Sequence, residues 1–278
     1  MPPNLVGLLL CPLCACELRH DDRAYRCASG HTFDLARQGY VNLLTGKGTR
    51  FVPDTAEMVR ARVDFLGAGH YDSLRRQLLE TLRMHHARPE VILDAGAGTG
   101  YYLQAFANEY PHARSVAMDI SRHALVRAAS AVPSALSVVW DVWRPLPLPR
   151  ASVDLLLNIF SPRNPSEFSR VVRAGGLVLT VTPLPGHLGG LAGLASVLTV
   201  PPDKADDVER AFSAGFTELA RITIEYPLRL SGSDAWNAVL MGPSAHHIDR
   251  DQLRSSIAQL RGSLDVQARF CLQAFQRG

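Results

Sequence analysis

The chain has 278 residues, of which 47% are hydrophobic and 20% are charged, and its formal net charge at pH 7 is +3. This composition is typical of a folded protein with a sizeable core, and it excludes a disordered chain. The charge is too small to establish a nucleic-acid partner. Only two of the 29 basic residues are lysines. Arginine suits phosphates and base edges, but a GC-rich genome explains this bias equally well.

The sequence carries no convincing export or membrane signal. The run MPPNLVGLLLC at the N-terminus lacks the basic region that a signal peptide needs before its apolar residues. The longest uncharged stretch, 174–202, is interrupted by glycines and prolines that favour a strand, a loop and a short helix over a membrane span. We therefore expect a cytoplasmic protein with no membrane partner, in which five cysteines are not a disulfide framework.

The residue pattern divides the chain into three segments. Residues 1–45 are rich in cysteines and turns and have too few apolar residues for a core of their own. Residues 46–88 predict a helical linker with helices at 55–66 and 71–84, where apolar side chains recur on one face. Residues 89–278 form the third and largest segment.

The third segment alternates short apolar runs with helical patterns. The predicted strands lie at 91–93, 115–119, 136–140, 153–157 and 177–182. This alternation predicts a parallel, doubly wound α/β sheet. Two long alternating runs at 218–230 and 264–275 predict a last pair of strands, which we expect to be antiparallel.

The cysteines of the first segment have the spacing of a metal site. The predicted ligands are Cys11, Cys14, Cys27 and His31. A C-x2-C turn brings two thiolates together, and the second pair completes a tetrahedron from a separate loop. Four such ligands with no open position predict a structural zinc, which would supply the folding energy that a short segment lacks. Cys16 could replace Cys14, although C-x2-C is the commoner arrangement.

A glycine-rich turn follows the first strand of the third segment. Its glycines, Gly96, Gly98 and Gly100, would let the backbone approach a ligand closely. Their G-x-G-x-G spacing differs from the G-x-G-x-x-G pattern that places a pyrophosphate on a helix N-terminus. Asp94 would repel a pyrophosphate, whereas it suits a ligand with a cationic amino group. The turn therefore favours S-adenosylmethionine over NAD.

Acidic residues also end the next two predicted strands. Asp119 could accept hydrogen bonds from both ribose hydroxyls, and Asp141 could meet an adenine amino group. Either residue alone is explained as a solvated strand end. Together with Asp94 they place three carboxylates at the edge where open α/β sheets bind ligands, which supports a cofactor site.

Two later loops are candidates for the reaction pocket. In the loop 158–165, Asn158 and Ser161 could hold a base, and Phe160 could stack on it. Turn and helix-capping chemistry explains much of this loop equally well. His187 follows the fifth strand near the same edge, where a lone histidine is most often an ordinary surface residue.

Several motifs together resemble one family, the 23S ribosomal RNA guanine-N1 methyltransferases. The motifs are Cys-Pro-Leu-Cys at 11–14, Gly-His-Thr-Phe-Asp at 30–34, Gly-Tyr-Val-Asn-Leu-Leu at 39–44, Gly-His-Tyr at 69–71 and Leu-Asp-Ala-Gly-Ala-Gly-Thr-Gly at 93–100. The similarity extends over nearly the whole chain. Within this family, the arginine-rich composition resembles the branch that confers resistance to tylosin and related macrolides.

The resemblance implies a fold, a reaction and further site residues. The fold is a class I S-adenosylmethionine-dependent methyltransferase with a small N-terminal zinc-binding domain, and the reaction is methylation of a guanine N1 in a hairpin loop of 23S rRNA. The implied zinc ligands are the four predicted above. The implied cofactor contacts are Tyr71, Thr99, Gly100 and His187. The two domains would hold the RNA hairpin between them, and a homodimer is a possible assembly.

The reaction implies an in-line attack of guanine N1 on the sulfonium methyl, once N1 has lost its proton. Positioning would supply most of the rate. The sequence does not identify the base that takes the proton, which could be a carboxylate or water near the loop 158–162.

We expect the RNA to contact basic residues of the first segment and the start of the linker, although each alone is explained as a solvated charge. They are Arg19, Arg23, Arg37, Lys47 and Arg50. Such phosphate contacts would make binding weaken with salt.

Two other functions use the same residues. The first is a small-molecule methyltransferase in which the zinc domain is a lid. The second is a noncatalytic zinc-ribbon RNA-binding protein with a vestigial cofactor site, which the intact acids and glycines of that site argue against.

Overall fold

The computed structural model describes residues 7–46, 49, 51–194, 201, 203–260 and 262–278. Two residues of the predicted RNA face, Lys47 and Arg50, lie outside this range. The start of the N-terminal apolar run and part of the uncharged stretch 174–202 also lie outside it.

The described strands form two sheets. A small antiparallel sheet contains β1 (Arg19–Asp21), β2 (Ala24–Arg26) and β3 (Thr32–Asp34). The large sheet contains β4 (Tyr40–Asn42), β5 (Val91–Ala95), β6 (Arg114–Asp119), β7 (Leu136–Val139), β8 (Val153–Ile159), β9 (Val172–Pro183), β10 (Phe216–Leu230) and β11 (Leu264–Arg277). Its strand order is β10-β11-β9-β8-β5-β6-β7-β4.

The large sheet is parallel from β4 to β9, whereas β11 pairs antiparallel with both β9 and β10. The chain winds from β5 through β6 to β7 on one side and then returns to β8 and β9 on the other. The direction of winding therefore reverses between β5 and β8, where the carboxyl ends of the strands leave a crevice for a ligand. The predictions of a doubly wound sheet and of an antiparallel last pair are confirmed.

Eight α-helices are described. They are α1 (Ala56–Gly67), α2 (Asp72–Met84), α3 (Tyr101–Glu109), α4 (Arg122–Ala131), α5 (Pro165–Val171), α6 (Lys204–Phe212), α7 (Gly232–Leu240) and α8 (Arg250–Ala258). The two predicted linker helices are confirmed as α1 and α2. Side-chain caps fix where several helices begin: Thr55 accepts a hydrogen bond from the amide of Met58 in α1, and Ser121 caps α4 in the same way.

The large sheet has two different faces. Helices α1 to α4, α7 and α8 pack on one face, around buried side chains such as Phe65, Leu78 and Phe106. The other face is covered by α5, α6 and the N-terminal segment, whose Leu9, Leu18 and other apolar residues join the same cluster as the strands. We call these the helical face and the zinc-side face.

No helix lies between β7 and β8, since residues 141–152 form turns. The N-terminal segment packs there instead, and the amide of Leu10 donates a hydrogen bond of 2.9 Å to the carbonyl of Pro147. Strand β4 extends the large sheet by pairing with β7. Residues on both sides of the predicted boundary at residue 45 therefore pack against each other, and the division into domains stays a prediction.

Among the described residues, no helix is both long and apolar enough to cross a lipid bilayer.

Candidate active site and metal centre

The four predicted metal ligands form one cluster. Their ligand atoms all lie within 4.8 Å of one another. His31 Nδ1 is 3.4 Å from Sγ of both Cys11 and Cys27, and the sulfurs of Cys14 and Cys27 are 3.6 Å apart. A tetrahedral zinc ion with ordinary bond lengths separates such atoms by about 3.5–3.8 Å, so the cluster fits zinc. We find no second metal-binding cluster in the part of the chain that the structure describes.

The structure also answers which cysteine completes the tetrahedron. Cys16 lies outside the cluster, with its sulfur 3.7 Å from the hydroxyl of Ser29. Hydrogen bonding by Ser29, together with the Cys16 amide, lowers the pKa of Cys14 to about 5. Cys14 is therefore the ligand that the geometry supports, because its sulfur lies within the cluster and that of Cys16 does not.

The three glycines after β5 have left-handed backbone conformations but different neighbours. A Cβ on Gly96 would lie 2.2 Å from Cβ of Ser161, and one on Gly100 would lie 3.0 Å from Cα of Ala128 in α4. A Cβ on Gly98 would meet only Arg62, at 3.7 Å. Gly96 and Gly100 thus allow other parts of the protein to approach the turn, whereas Gly98 has only the flexible side chain of Arg62 near it.

Asp94 has the properties expected of a carboxylate that awaits a cationic ligand. Its side chain is 2% exposed, and its Oδ2 has no hydrogen-bond partner. Burial, reinforced by the charge of Asp119, raises the pKa of Asp94 to about 8. An ammonium group would pair with Oδ2 and favour the charged carboxylate. This orphaned oxygen therefore fits the amino group of S-adenosylmethionine.

Asp119 is held rigidly at the end of β6. Its Oδ2 accepts a hydrogen bond of 2.8 Å from the amide of Gly98, and its Oδ1 accepts one of 2.8 Å from the amide of Ser121. Burial raises the pKa of Asp119, although these two amides oppose the shift. Each oxygen keeps a lone pair, so the carboxylate can still accept hydrogen bonds from two ribose hydroxyls.

Asp141 is more fully used by the protein itself. Its Oδ1 accepts a hydrogen bond of 3.0 Å from the amide of Trp143, and its Oδ2 accepts one of 2.9 Å from the hydroxyl of Thr49. An adenine amino group would have to share these oxygens. The contact with adenine stays a prediction, and the geometry reveals an additional role in holding two loops together.

The loop after β8 is not arranged as the sequence suggested. Asn158 is fully buried, and its Nδ2 donates to the carbonyls of Ala95 and Pro162 and to the hydroxyl of Ser161. The hydroxyl of Ser161 in turn donates to the carbonyl of Ala95 at 2.6 Å. Both polar side chains therefore join β8 to the end of β5, which leaves Phe160 as the residue of this loop that is free to meet a base.

Tyr71 and His187 form a buried pair beside Phe160. The Tyr71 hydroxyl lies 2.9 Å from His187 Nε2, while His187 Nδ1 accepts a hydrogen bond from the amide of Arg269. His187 must therefore carry its proton on Nε2 and donate it to Tyr71. Burial lowers the pKa of His187 to about 4, so the imidazole is neutral at physiological pH.

These residues belong to an aromatic cup at the carboxyl edge. The rings of Tyr71, His187 and Phe160 surround Phe270 of β11, at centroid distances of 5.0, 4.6 and 5.4 Å. Phe160 is 40% exposed and has a φ of +53°, an uncommon conformation for a bulky residue that is often found at functional sites. The cup is partly open, and an aromatic lining suits both a sulfonium cation and a flat base.

Sequence reasoning missed two contributors to this edge. Phe270 lies in an alternating strand, where nothing distinguishes it from an ordinary core residue. Arg62 of α1 pairs with Asp54 and donates a hydrogen bond to the carbonyl of Met241. Its side chain is also the one that lies next to Gly98. No local motif indicates that a linker helix comes to lie over the glycine turn. Thr99 is buried in the glycine turn before α3, and the contact with the cofactor that the resemblance implies stays a prediction.

Two family comparisons match the two parts of the chain. Residues 9–47 match the N-terminal zinc ribbon of RlmA, and residues 92–176 match a methyltransferase domain. The first match contains all four zinc ligands, and the second begins within β5. These matches confirm the predicted cofactors, S-adenosylmethionine and a structural zinc ion, because the fold and the metal cluster both agree with them.

A search of solved structures supports the same fold. A candidate methyltransferase of Bacillus halodurans covers 72% of this chain and 97% of its own length, with a TM-score of 0.51 and 16% identity. At this identity the likeness concerns the fold alone.

Curated relatives extend over almost the entire sequence. The 23S rRNA (guanine(748)-N(1))-methyltransferase of Streptomyces fradiae is 41% identical over 96% of this chain and 95% of its own length. A candidate enzyme of this type from Micromonospora griseorubida is also 41% identical over 96% of the chain. One from Bacillus subtilis is 33% identical over 66%. The chain therefore belongs to the family of 23S rRNA (guanine-N1)-methyltransferases.

Proposed function

We propose that this protein transfers a methyl group from S-adenosylmethionine to N1 of a guanine in a hairpin loop of 23S rRNA. The observation that carries the proposal is the juxtaposition of two features at one sheet edge. The orphaned carboxylate of Asp94 lies at the end of β5, and the loop that carries Phe160 is bonded to the same strand end through Ser161 and the carbonyl of Ala95. A cationic methyl donor and a flat acceptor can thus meet there.

The cofactor contacts follow from the contacts of each residue. Asp94 would hold the amino group, Asp119 the ribose hydroxyls, and the open backbone at Gly98 the chain between them. Tyr71 and His187 would line the methyl group, since both belong to the aromatic cup. When bound, the cofactor supplies an electrophilic methyl group on a positively charged sulfur.

The acceptor atom places a demand on the RNA. Guanine N1 lies on the edge that pairs with cytosine, so the target base must be unpaired and turned out of its stack. Phe160 is positioned to receive it, because its ring is partly exposed at the mouth of the cup. Positioning N1 in line with the methyl–sulfur bond is then the main task of the protein.

The proton of guanine N1 has no obvious acceptor among the lining residues. His187 has a pKa of about 4, and its Nδ1 already accepts a hydrogen bond, while burial raises the pKa of Tyr71 well above its ordinary value. A neutral histidine with no free acceptor is a poor base. We infer that the proton passes to water at the open edge of the cup.

The zinc domain would supply part of the RNA-binding surface. Arg23 and Arg37 are exposed, and Arg19 is exposed but paired with Glu17. The two cations at the start of the linker lie outside the described residues. A homodimer belongs to the proposal as well, and light scattering on the purified protein would measure its mass.

The decisive experiment incubates the protein with unmodified large-subunit rRNA and labelled S-adenosylmethionine, followed by mass spectrometry of the digested RNA. We expect one labelled N1-methylguanosine, and no label with Asp94→Asn at low cofactor concentration. Label on another nucleoside, or none, would contradict the proposal. Expression in a tylosin-sensitive bacterium then tests the proposed role in resistance, with the same variant as control.

A further inference from the structure

Two large aromatic side chains outside the aromatic cup are exposed to solvent. Phe51, in the linker, is 38% exposed, and Trp143, after β7, is 49% exposed. Their rings are stacked, with centroids 6.4 Å apart and planes 27° from parallel. Val52 beside them is 74% exposed. An apolar patch of this kind on a protein surface usually marks a binding site.

The positions of the two aromatic residues are fixed by hydrogen bonds, because the buried carboxylate of Asp141 binds both of the loops that carry them. Asp141 is 5% exposed, and it accepts the amide of Trp143 with one oxygen and the hydroxyl of Thr49 with the other. The same hydroxyl accepts a hydrogen bond of 3.1 Å from the amide of Phe51. A chain of hydrogen bonds thus runs from one aromatic residue to the other through Asp141.

The turn that carries Trp143 contacts both parts of the protein that the proposed RNA substrate would meet. Nδ2 of Asn164, in the loop that carries Phe160, donates to the carbonyls of Val142 and Trp143. The zinc domain joins the same turn through its bond to Pro147. The turn that carries Trp143 is therefore bonded both to the zinc domain and to the loop that carries Phe160.

The chemistry of the substrate explains why such a surface would be useful. A guanine that is turned out for methylation at N1 leaves its neighbour in the loop without a stacking partner. Aromatic side chains stack on any base, which stabilises an unpaired strand without reading its sequence. The exposed face of Trp143 offers such a platform.

We propose that Phe51 and Trp143 form a stacking platform for an unpaired base next to the target guanine, and that Asp141 and Thr49 are its positioning residues. The platform rests on the proposed RNA substrate. The two rings belong to residues that are not assigned to the cofactor, although Asp141 is also the residue that we predict to contact adenine.

The first test compares Trp143→Ala with Trp143→Phe. We expect the alanine variant to bind a hairpin RNA of the target loop about 5- to 100-fold more weakly, since a base–aromatic stack contributes that much. Trp143→Phe should stay within about 3-fold of the wild type, because it keeps a ring. Met84→Ala, which removes an exposed apolar side chain elsewhere, is the matched control. Zinc content and S-adenosylmethionine affinity establish that each variant is folded.

The second test addresses the positioning residues. Thr49→Val removes the hydroxyl that links Asp141 to Phe51, whereas Thr49→Ser keeps it. We expect the valine variant to weaken RNA binding several-fold and the serine variant to restore it, with zinc content unchanged in both.

Three outcomes would overturn the inference. The first is unchanged RNA affinity in Trp143→Ala. The second is a loss of cofactor affinity alone, which would make the pair a cover for the cofactor. The third is equal behaviour of the two Thr49 variants. If the wild-type protein methylates the rRNA and Trp143→Ala binds that RNA as tightly as the wild type, the stacking platform is refuted and the proposed function is not. A wild-type protein that methylates no rRNA refutes the proposed function.

Discussion

The two faces of the large sheet reach the same degree of burial by different means. On the helical face, amphipathic helices such as α2 and α3 bring their own apolar stripes to the strands. On the zinc-side face, the N-terminal segment, whose strands are three residues long, packs against the turns that join β7 to β8. The helical face is therefore stabilised by the apolar stripes of its helices, whereas the part of the zinc-side face that the N-terminal segment covers also depends on the four metal ligands.

The comparison shows that the zinc ribbon is a structural part of the catalytic domain. Its Leu9, Leu18 and Val41 are at most 2% exposed and share a cluster with strands of the sheet. Loss of the ion should therefore expose one side of the methyltransferase domain and leave the helical face intact.

The largest expected effect is removal of a metal ligand. Cys27→Ala should lose bound zinc and become sensitive to proteolysis within residues 7–43, because structural zinc contributes about 10 kcal/mol or more to such a fold. Metal analysis and limited proteolysis measure both effects. Cys16→Ala is the control and should keep one zinc ion per chain. Full zinc content in Cys27→Ala would refute the ligand set.

A second substitution breaks the edge at which the two faces meet. Gly96→Ala would force a Cβ against Ser161, and we expect it to lower the free energy of unfolding by about 3 kcal/mol. The double variant Gly96→Ala/Ser161→Gly should recover about 1 kcal/mol or more, although the left-handed backbone stays strained. Denaturant unfolding measures this coupling, and purely additive effects would argue against the contact.

A substitution at Asp94 tests whether this buried carboxylate lowers the free energy of unfolding of the ligand-free protein. Its pKa is raised from 3.8 to about 8, so the folded protein resists ionisation that the unfolded chain undergoes freely. This cost grows as pH rises from about 4 to 8 and is constant above that. Asp94→Asn should therefore stabilise the ligand-free protein by about 1–4 kcal/mol at pH 8 and by little at pH 4.

The same variant should bind S-adenosylmethionine about 10- to 100-fold more weakly, because a charge-assisted hydrogen bond is lost. Wild-type affinity should fall as pH drops below about 8. Calorimetry at several pH values checks both expectations. An Asn variant with wild-type affinity would remove Asp94 from the site.

The smallest expected effect on stability comes from a substitution at Tyr71, which lies in the core of the helical face. Tyr71→Phe deletes one buried hydrogen bond to His187 and should cost about 1 kcal/mol of stability, with cofactor affinity a few-fold lower. Because the pKa of His187 falls from 6.5 to about 4 in the folded state, the stability linked to its neutral form is full above pH 6.5. It should decline as pH falls towards 4. Thermal unfolding at pH 7 and pH 5 tests this direction.

The sequence predicted what local spacing determines. Two cysteine pairs at finger-like spacing predict zinc, and alternating apolar runs predict the sheet. Contacts between distant segments were not visible in it. Thr49 and Asp141 are 92 residues apart, and Phe270 reaches the cup from the last strand. The missing Cβ of Gly96 also makes room for Ser161, a contact that no spacing rule encodes, while the contact of Gly96 with the cofactor stays a prediction.

Strand β10 is a long edge strand of the large sheet, and among the described residues no strand pairs with its outer side. Its outward positions include Arg221, Glu225 and Arg229, and Pro227 supplies no amide hydrogen there. Charges and a proline along such a border discourage a second molecule from adding its own strand. We therefore expect any self-association of this enzyme to use side-chain contacts, because the edge strand β10 disfavours aggregation by strand addition.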